Sequence, residues 1–184
     1  RSSGLAPWAL LGSSGEPFPG RAVLEGLGAG LEGAEGVAGM HAALRTSRAE
    51  GDVVRVTGRA GRDDAEDAAA LLSSLGAIEV AGSRLHPLGR PGEAILTFPA
   101  HARGDVSDSD PFFEEIHPWL RPVATSHAGE ALAADLTAFL LAARDALAAS
   151  PVNRARADRG APPLDLLTTK WAGAREPLPS FAEV

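Results

Sequence analysis

Residues 150–173 read SPVNRARADRGAPPLDLLTTKWAG, and the rest of the chain is organised around them. The opening Ser150-Pro151 pair is a typical helix start, because serine caps the first turn and proline suits the first helical position. Gly160 ends this short helix, and the diproline that follows forces extended backbone. The apolar run Leu164 to Thr169 then predicts a strand. The stretch therefore joins a helix to a strand, and it concentrates positive charge locally.

The upstream sequence predicts an α+β fold. Its segments follow each other as strand, strand, helix, strand, strand, helix and strand, which is typical of helices packed on one face of a mostly antiparallel sheet. The expected strands are Val37 to Thr46 with Asp52 to Thr57 and Ala77 to Leu85 with Glu93 to Pro99, the expected helices are Asp63 to Leu75 and Gly129 to Ala149, and His101 to Ser109 is expected to be an exposed loop.

Composition excludes several classes of protein. A formal charge of -7 and only 5% aromatic residues argue against nucleic-acid binding, which needs a basic face and stacking side chains. No apolar run is long enough to span a membrane. The absence of cysteine excludes disulfides and thiolate metal sites, and it fits a cytoplasmic protein. Because the chain begins at Arg1 rather than methionine, we expect it to be a piece of a longer polypeptide.

Two groups of motifs carry a resemblance to a known family. The first group is Pro151-Val152-Asn153-Arg154, the turn Gly160 to Pro163, the apolar run, the loop Lys170-Trp171-Ala172-Gly173 and the run Leu178 to Phe181, and the second is Ala9 to Gly12 with Pro19 to Gly30. Their order resembles the archaeal-type cofactor-independent phosphoglycerate mutases and their bacterial relatives, which belong to the alkaline phosphatase superfamily. The resemblance covers nearly the whole chain, and it rests on the order of the motifs rather than on one of them.

The resemblance implies a division of the chain into three parts. Residues 1–36 would flank or belong to a catalytic core domain, residues 37–173 would form an α+β insert that caps the substrate, and residues 174–184 would return to the core. The partners implied are a small phosphorylated acid or phosphate ester and the remainder of the parent polypeptide. The parent would be a phosphoglycerate-mutase-like isomerase or phosphotransferase.

Four residues are candidates for binding the substrate. Arg154 matches the arginine of the family's Pro-Val-Asn-Arg segment, and its planar fork suits a phosphate or carboxylate. Asn153 would cap or orient the same loop. Arg21 matches a Gly-Arg pair of the family, and Lys170 stands where the family tends to carry arginine. A lysine keeps the charge but loses the fork, so Lys170-Trp171 departs from the family's Arg-Gly pattern.

For Arg154 and Arg21 a simpler interpretation is also open. Arg154, Arg156 and Arg159 could form a solvated basic face of the short helix, and Arg21 could be a turn arginine in solvent. Helical spacing places Arg156 on a different side from Arg154, where we expect it to be solvated. If Arg154 and Lys170 faced a common cleft, that cleft would bind an anion.

Ser3 is the candidate catalytic residue. Alignment of Ala9 to Gly12 with the family places Ser3 on its nucleophilic serine, although Gly4 and Pro7 depart from the family's pattern and the serine could instead lie in a disordered terminus. No metal site is predicted within the chain, because the histidines show no close pair and Asp105, Asp108 and Asp110 fit an Asx-turn cluster better than a calcium loop. The two divalent ions of the family, manganese or zinc, would be held by ligands elsewhere in the parent.

Two classes of function stay open. The chain is either the substrate-capping portion of a metal-dependent phosphotransferase, a mutase or a related phosphatase, or a non-catalytic anion-binding or interaction module with the same fold. On the first reading the chain alone would be inactive, since the metal ligands lie outside it.

Overall fold

The computed structural model describes residues 18–31, 36–110 and 114–174. The predictions for Ser3 and for the Leu178 to Phe181 run lie outside these residues. The described helices are α1 Arg21–Gly28, α2 Ala65–Leu75, α3 Glu130–Ala149 and α4 Pro151–Asp158, and the strands are β1 Ala38–Glu50, β2 Val53–Arg59, β3 Arg84–Pro87, β4 Glu93–Phe98, β5 His117–Pro118 and β6 Leu166–Ala174.

A single antiparallel sheet is built around the long strand β1. This strand pairs with β4 along its first half, with β2 along its second half and with β6 from Ala38 to Arg45. β3 extends the sheet beyond β4, and β5 extends it beyond β2. The antiparallel sheet with its packed helices confirms the predicted α+β fold.

The two faces of the sheet differ because side chains alternate along β1. Ala38, Met40, Ala42 and Leu44 point into the apolar core, which α2 and α3 cover with Leu71, Leu72, Leu136, Phe139 and further buried side chains. The intervening residues, including His41 and Arg45, point to the opposite face. There α1 packs near Gly39 and Ile95. We call this opposite side the polar face.

The helix-to-strand stretch forms as its sequence predicts. Ser150 caps α4 by accepting a hydrogen bond from the backbone N–H of Val152 at 3.2 Å, and Pro151 is the first helical residue. Gly160 follows the helix with a φ of 77°, which glycine adopts without strain. Asn153 is buried and bonds the carbonyl oxygens of Leu147 and Leu164 and the N–H of Leu164. It thereby orients the loop between α4 and β6.

The structure contradicts the prediction that Arg156 is solvated. Spacing predicted a solvated side chain, but Arg156 is only 2% exposed. Its guanidinium lies 2.8 Å from Asp64, 2.6 Å from Asp67 and 2.9 Å from the carbonyl oxygen of Pro162. The prediction was wrong because the acidic N-terminal turn of α2 packs against this side of α4. Its carboxylates compensate the charge of the buried guanidinium.

Two element boundaries and the exposure of one loop also differ from the predictions. The first hairpin turns at residues 51–52, so β1 runs four residues beyond Thr46. β3 begins only at Arg84, because residues 77–83 form turns. The segment 101–109 is not wholly exposed: Val106 and Ser109 are buried, and Ser109 bonds the backbone of Thr169. The polar composition of residues 101–109 predicted exposure, but part of this segment packs against the sheet.

Within the part of the chain that the structure describes, no helix is long and apolar enough to cross a membrane.

Candidate functional site

A cluster of charged side chains lies on the polar face around a buried carboxylate. Asp110 is fully buried, and its Oδ2 accepts a hydrogen bond from Arg45 Nη2 at 2.9 Å. Its Oδ1 lies 3.0 Å from Lys170 Nζ and 3.1 Å from His117 Nε2. One buried carboxylate is thus surrounded by two permanent cations and a histidine.

This cluster forms the floor of a cleft of about 440 Å³, which we call the Lys170 cleft. Strand alternation brings Thr168 and Lys170 of β6 and Arg45 of β1 to the polar face, where the Thr168 hydroxyl donates to Asp110. The mouth is lined by Arg59, Glu114 and Glu115, which are exposed to water. Charges at the mouth are screened by solvent, whereas those on the floor are screened much less.

A second pocket, which we call the Arg21 pocket, has a volume of about 390 Å³. Arg21, Arg103 and Trp171 line it together with Gly20, Gly104 and Gly173. Backbone segments approach closely here: a Cβ on Gly173 would lie 2.0 Å from the carbonyl oxygen of Pro19. A Cβ on Gly104 would lie 2.4 Å from the nitrogen of Gly173, so glycine is required at both positions.

Trp171 connects the pocket with the cleft. The Arg21 guanidinium carbon lies 3.8 Å from the centroid of the indole ring, and Lys170 Nζ lies 6.0 Å from it. The backbone N–H of Trp171 donates to Asp108 Oδ1 at 2.7 Å. Burial raises the pKa of the Asp108 carboxyl, although this hydrogen bond and the nearby Lys170 charge oppose that effect.

A network of ion pairs holds α1 on the polar face. His41 is buried, and its Nε2 lies 3.3 Å from Glu93 Oε2 and 3.8 Å from Glu25 Oε2. Arg90 Nε pairs with Glu93 at 2.7 Å, and Arg21 Nε donates to Glu25 at 3.0 Å. The hydrogen bond from His41 lowers the pKa of Glu93 in spite of partial burial. Arg21 is therefore fixed at both its Nε atom and its guanidinium face.

The structure brings together two of the four predicted substrate-binding residues. Arg21 and Lys170 both lie near the Trp171 ring on the polar face. Arg154 belongs to α4, which packs with α2 and α3 on the other side of the sheet, and its exposed Nη1 donates to the carbonyl oxygen of Ala149. Arg154 and Lys170 thus do not face a common cleft, and that expectation is wrong. Asn153 makes the backbone contacts described above.

Sequence reasoning missed Arg45, Asp110, His117 and Trp171. A signal existed for Arg45, since His41 and Arg45 fall four residues apart in a predicted strand, where they share a face. Asp110 was interpreted as part of an Asx-turn cluster, because its partners come from β1, β5 and β6, far away in sequence. No sequence pattern indicated that those partners converge on it.

The described side chains do not fit a resident metal ion. No group of three or more His, Asp or Glu side chains converges within residues 18–31, 36–110 and 114–174 in a way that could hold one. The acidic groups of the polar face are instead paired with arginine, lysine and histidine.

Comparison with known proteins assigns the chain to a family. The sequence profile of the 2,3-bisphosphoglycerate-independent phosphoglycerate mutases matches residues 1–153. The chain belongs to this family. Among archaeal members of the mutase family, it is 32% identical to a protein of Methanoculleus marisnigri over 181 residues and 30% identical to mutase 1 of Archaeoglobus fulgidus over 173 residues.

The mutase family also supplies a solved structure with the same fold. The cofactor-independent phosphoglycerate mutase of Thermoplasma acidophilum superposes with a TM-score of 0.71 at 25% identity, covering 100% of this chain and 50% of that one. The chain covers 43% of the M. marisnigri mutase and 41% of the A. fulgidus mutase, while 95% and 90% of its own length are matched. It therefore corresponds to a portion of these mutases.

Proposed function

We propose that this chain is the substrate-capping portion of a phosphoglycerate-mutase-like, metal-dependent phosphotransferase, and that its polar face binds the phosphate or carboxylate group of a small phosphorylated acid. The observation that carries the proposal is the floor of the Lys170 cleft. There, two cations, Arg45 and Lys170, surround the single buried carboxylate of Asp110.

The charge of this floor favours an anion. Arg45 and Lys170 contribute two positive charges and Asp110 one negative charge, so the three side chains carry a net charge of +1 when His117 is neutral. The Lys170 side chain is 11% exposed and that of Arg45 is 16% exposed. Charge that is largely removed from water is costly unless it is compensated. In this proposal a phosphate or carboxylate in the cleft would accept charge-assisted hydrogen bonds from Arg45 and Lys170.

The net charge of the whole chain is opposite in sign to the local charge of the cleft floor. With a net charge of -7, the chain repels anions at long range, so anion binding must come from a specific site. Arg21, one residue of that site in our proposal, presents a guanidinium that can bond phosphate or carboxylate oxygens in pairs. Lys170, which also lies near Trp171, would supply a second positive charge for the anion.

The rest of the mechanism is assigned to the parent protein. In this proposal Ser3 is the nucleophile that takes the phosphoryl group, and two divalent ions held elsewhere in the parent supply Lewis acidity, as expected for the alkaline phosphatase superfamily. The division at residues 36 and 174 and the cytoplasmic location belong to the same proposal. The residues of this chain would hold and orient the substrate.

A related phosphatase is the second candidate. The departure that favours it is Lys170-Trp171, where the resemblance leads us to expect arginine followed by glycine. A mutase and a phosphatase would share the anion site and differ in whether water reaches the phosphoserine.

The test is phosphate and phosphoglycerate binding to the purified chain, measured by isothermal titration calorimetry. Lys170→Met should weaken binding about tenfold or more, the usual effect of losing one charge-assisted contact, whereas Lys170→Arg should retain it. Arg48→Met is the matched control, because Arg48 is an exposed cation paired with Glu50 on the same strand as Arg45. Equal weakening by Lys170→Met and Arg48→Met would reduce the effect to general electrostatics and refute the site.

A further inference from the structure

Trp171 adopts a backbone conformation that a bulky side chain disfavours. Its φ is 57°, in the left-handed region. The residue lies at an irregularity of β6: Gly173 pairs with Gly39 and Lys170 pairs with His41, so two residues of β6 stand opposite Met40 alone. In bulges that contain such a left-handed position, glycine is the usual occupant.

The surrounding contacts hold Trp171 in this conformation. Its N–H is bonded to Asp108 at 2.7 Å, and the indole is tilted against the buried His41 ring, with 5.2 Å between centroids. The indole also carries the guanidinium of Arg21. Strained residues persist where their surroundings fix them, and they occur preferentially at functional sites.

The stacking determines how Arg21 is presented. One face of its guanidinium lies on the indole at 3.8 Å, and its Nε is bonded to Glu25 at 3.0 Å. These two contacts fix both the plane and the direction of the group at the wall of the Arg21 pocket. A guanidinium that is already oriented loses less conformational entropy when it binds a planar or tetrahedral anion.

We infer that Trp171 is a positioning residue: its indole holds Arg21 in the orientation that binds the anionic group of the substrate, and the chain retains a strained backbone for that purpose. This inference rests on the proposed function, because it assumes that Arg21 binds an anion. The inference adds that Trp171, which carries no charge, increases the affinity of the site for an anion.

Inorganic phosphate is the probe, and the purified chain is compared with Trp171→Phe and Trp171→Gly. The phenylalanine variant keeps an aromatic face, whereas the glycine variant removes the face and relieves the backbone. We expect Trp171→Gly to bind phosphate about tenfold more weakly while unfolding at the same or a higher urea concentration, and Trp171→Phe to stay within about twofold of the wild-type affinity.

The Nε–H resonance of Arg21 in a ¹H–¹⁵N spectrum gives a direct readout of the stacking. An aromatic ring beneath the guanidinium should shift this resonance in the wild-type chain and in Trp171→Phe, and the shift should be lost in Trp171→Gly. A merely structural role of Trp171 would lower stability without this pattern.

The outcomes separate the two proposals. If wild-type and Trp171→Gly chains bind phosphate equally well, the inference about Trp171 is overturned and the anion site stands. If the wild-type chain binds no phosphate, the proposed function is overturned, and the role of Arg21 falls with it. If Trp171→Gly does not fold, Trp171→Phe carries the test: a loss of affinity as large as in Arg21→Met, with the ring-induced shift of the Arg21 resonance retained, would overturn the inference.

Discussion

Arg154 and Arg156 carry the same charge two residues apart on α4, but their environments are opposite. Arg156 is buried and paired with Asp64 and Asp67 at the start of α2. Arg154 is exposed and contacts the carbonyl oxygen of Ala149 at the end of α3. A buried guanidinium that joins two helices stabilises the fold, whereas an exposed one usually contributes little.

We therefore predict different losses of stability from the two alanine variants. Arg156→Ala should lower the free energy of unfolding by roughly 2–3 kcal/mol, because it removes the buried cation that joins Asp64 and Asp67 and leaves Asp67 paired, among the described residues, only with the exposed Arg159. Arg154→Ala should lower it by less than about 0.5 kcal/mol. Urea denaturation of both variants measures the difference. Equal losses would mean that the Arg156 contacts are not needed for folding.

For single residues, the sequence could predict which side of a helix a side chain occupies, but not whether that side is buried. Helical spacing correctly separated Arg154 from Arg156, yet it could not tell which side faces the protein, because apart from Val152 both sides of α4 are polar or small. The same limit applies to Asp110, whose cations lie on distant strands. By contrast, Arg21 and Lys170 were found from motif order, and the structure places them on one face.

At the scale of elements, α1 is attached to the sheet by its buried residues Ala22, Val23 and Gly26 and by a set of charged groups. Glu25 of this helix lies near His41 of β1 and near Arg90, while Glu93 of β4 pairs with both of those residues. These carboxylates must be ionised for the pairs to form. Arg21, one helical turn before Glu25, is linked to this network through its own ion pair with Glu25.

Glu93 gives a pH-dependent contribution of predictable sign. Its pKa is lowered in the folded chain, chiefly by the hydrogen bond from His41, so the unfolded chain takes up the proton first as the pH falls. The stability that Glu93 contributes is thus fully present above its unfolded pKa of about 4.3 and is lost as the pH falls through the lower folded value.

The measurement is urea unfolding of the wild type and of Glu93→Gln between about pH 5 and pH 2.5. The difference in free energy of unfolding between them should shrink as the pH falls. Comparing the two chains removes the opposite contributions of Asp108 and Asp165, whose pKa values burial raises. A difference that stays constant over this range would contradict the contribution of Glu93.

Most of the elements could be predicted from sequence, but the buried face of α2 and the strand β5 could not. All six apolar positions that spacing assigned to the buried side of α3, from Leu132 to Leu147, are buried. On α2, however, Ala65 and Ala69 were placed on the buried face and are exposed, while Leu71 is buried instead. Alanine-rich helices offer a weak periodic signal. The two-residue strand β5 has no local signature, since only its pairing with β2 defines it.

At the scale of the whole molecule, the chain is a portion of a mutase-like protein. It covers 41% of the A. fulgidus relative and 50% of the T. acidophilum structure. In our proposal Arg21, Arg45 and Lys170 of the polar face bind the anion, and the described side chains contain no convergent set of metal ligands. Binding and chemistry are therefore assigned to different parts of the parent in our proposal.

We predict that the purified chain has no mutase or phosphatase turnover when manganese or zinc is added. The resemblance places the ligands of both metal ions in segments other than those of this chain, and without them no phosphoryl transfer is expected. A coupled assay with phosphoglycerate and a release assay with a phosphate ester test this. Metal-dependent turnover above a blank by the chain alone would contradict the assignment.

The most direct test of the proposed anion site is to map phosphoglycerate on the chain by ¹H–¹⁵N chemical-shift titration. We expect saturable shifts concentrated on residues 20–22, 108–110 and 168–173, which surround Arg21, Asp110 and Lys170 on the polar face. Residues 152–156 of α4 serve as the internal control, because their arginines lie on the other side of the sheet. Shifts centred on α4, or spread over exposed arginines without saturation, would contradict it.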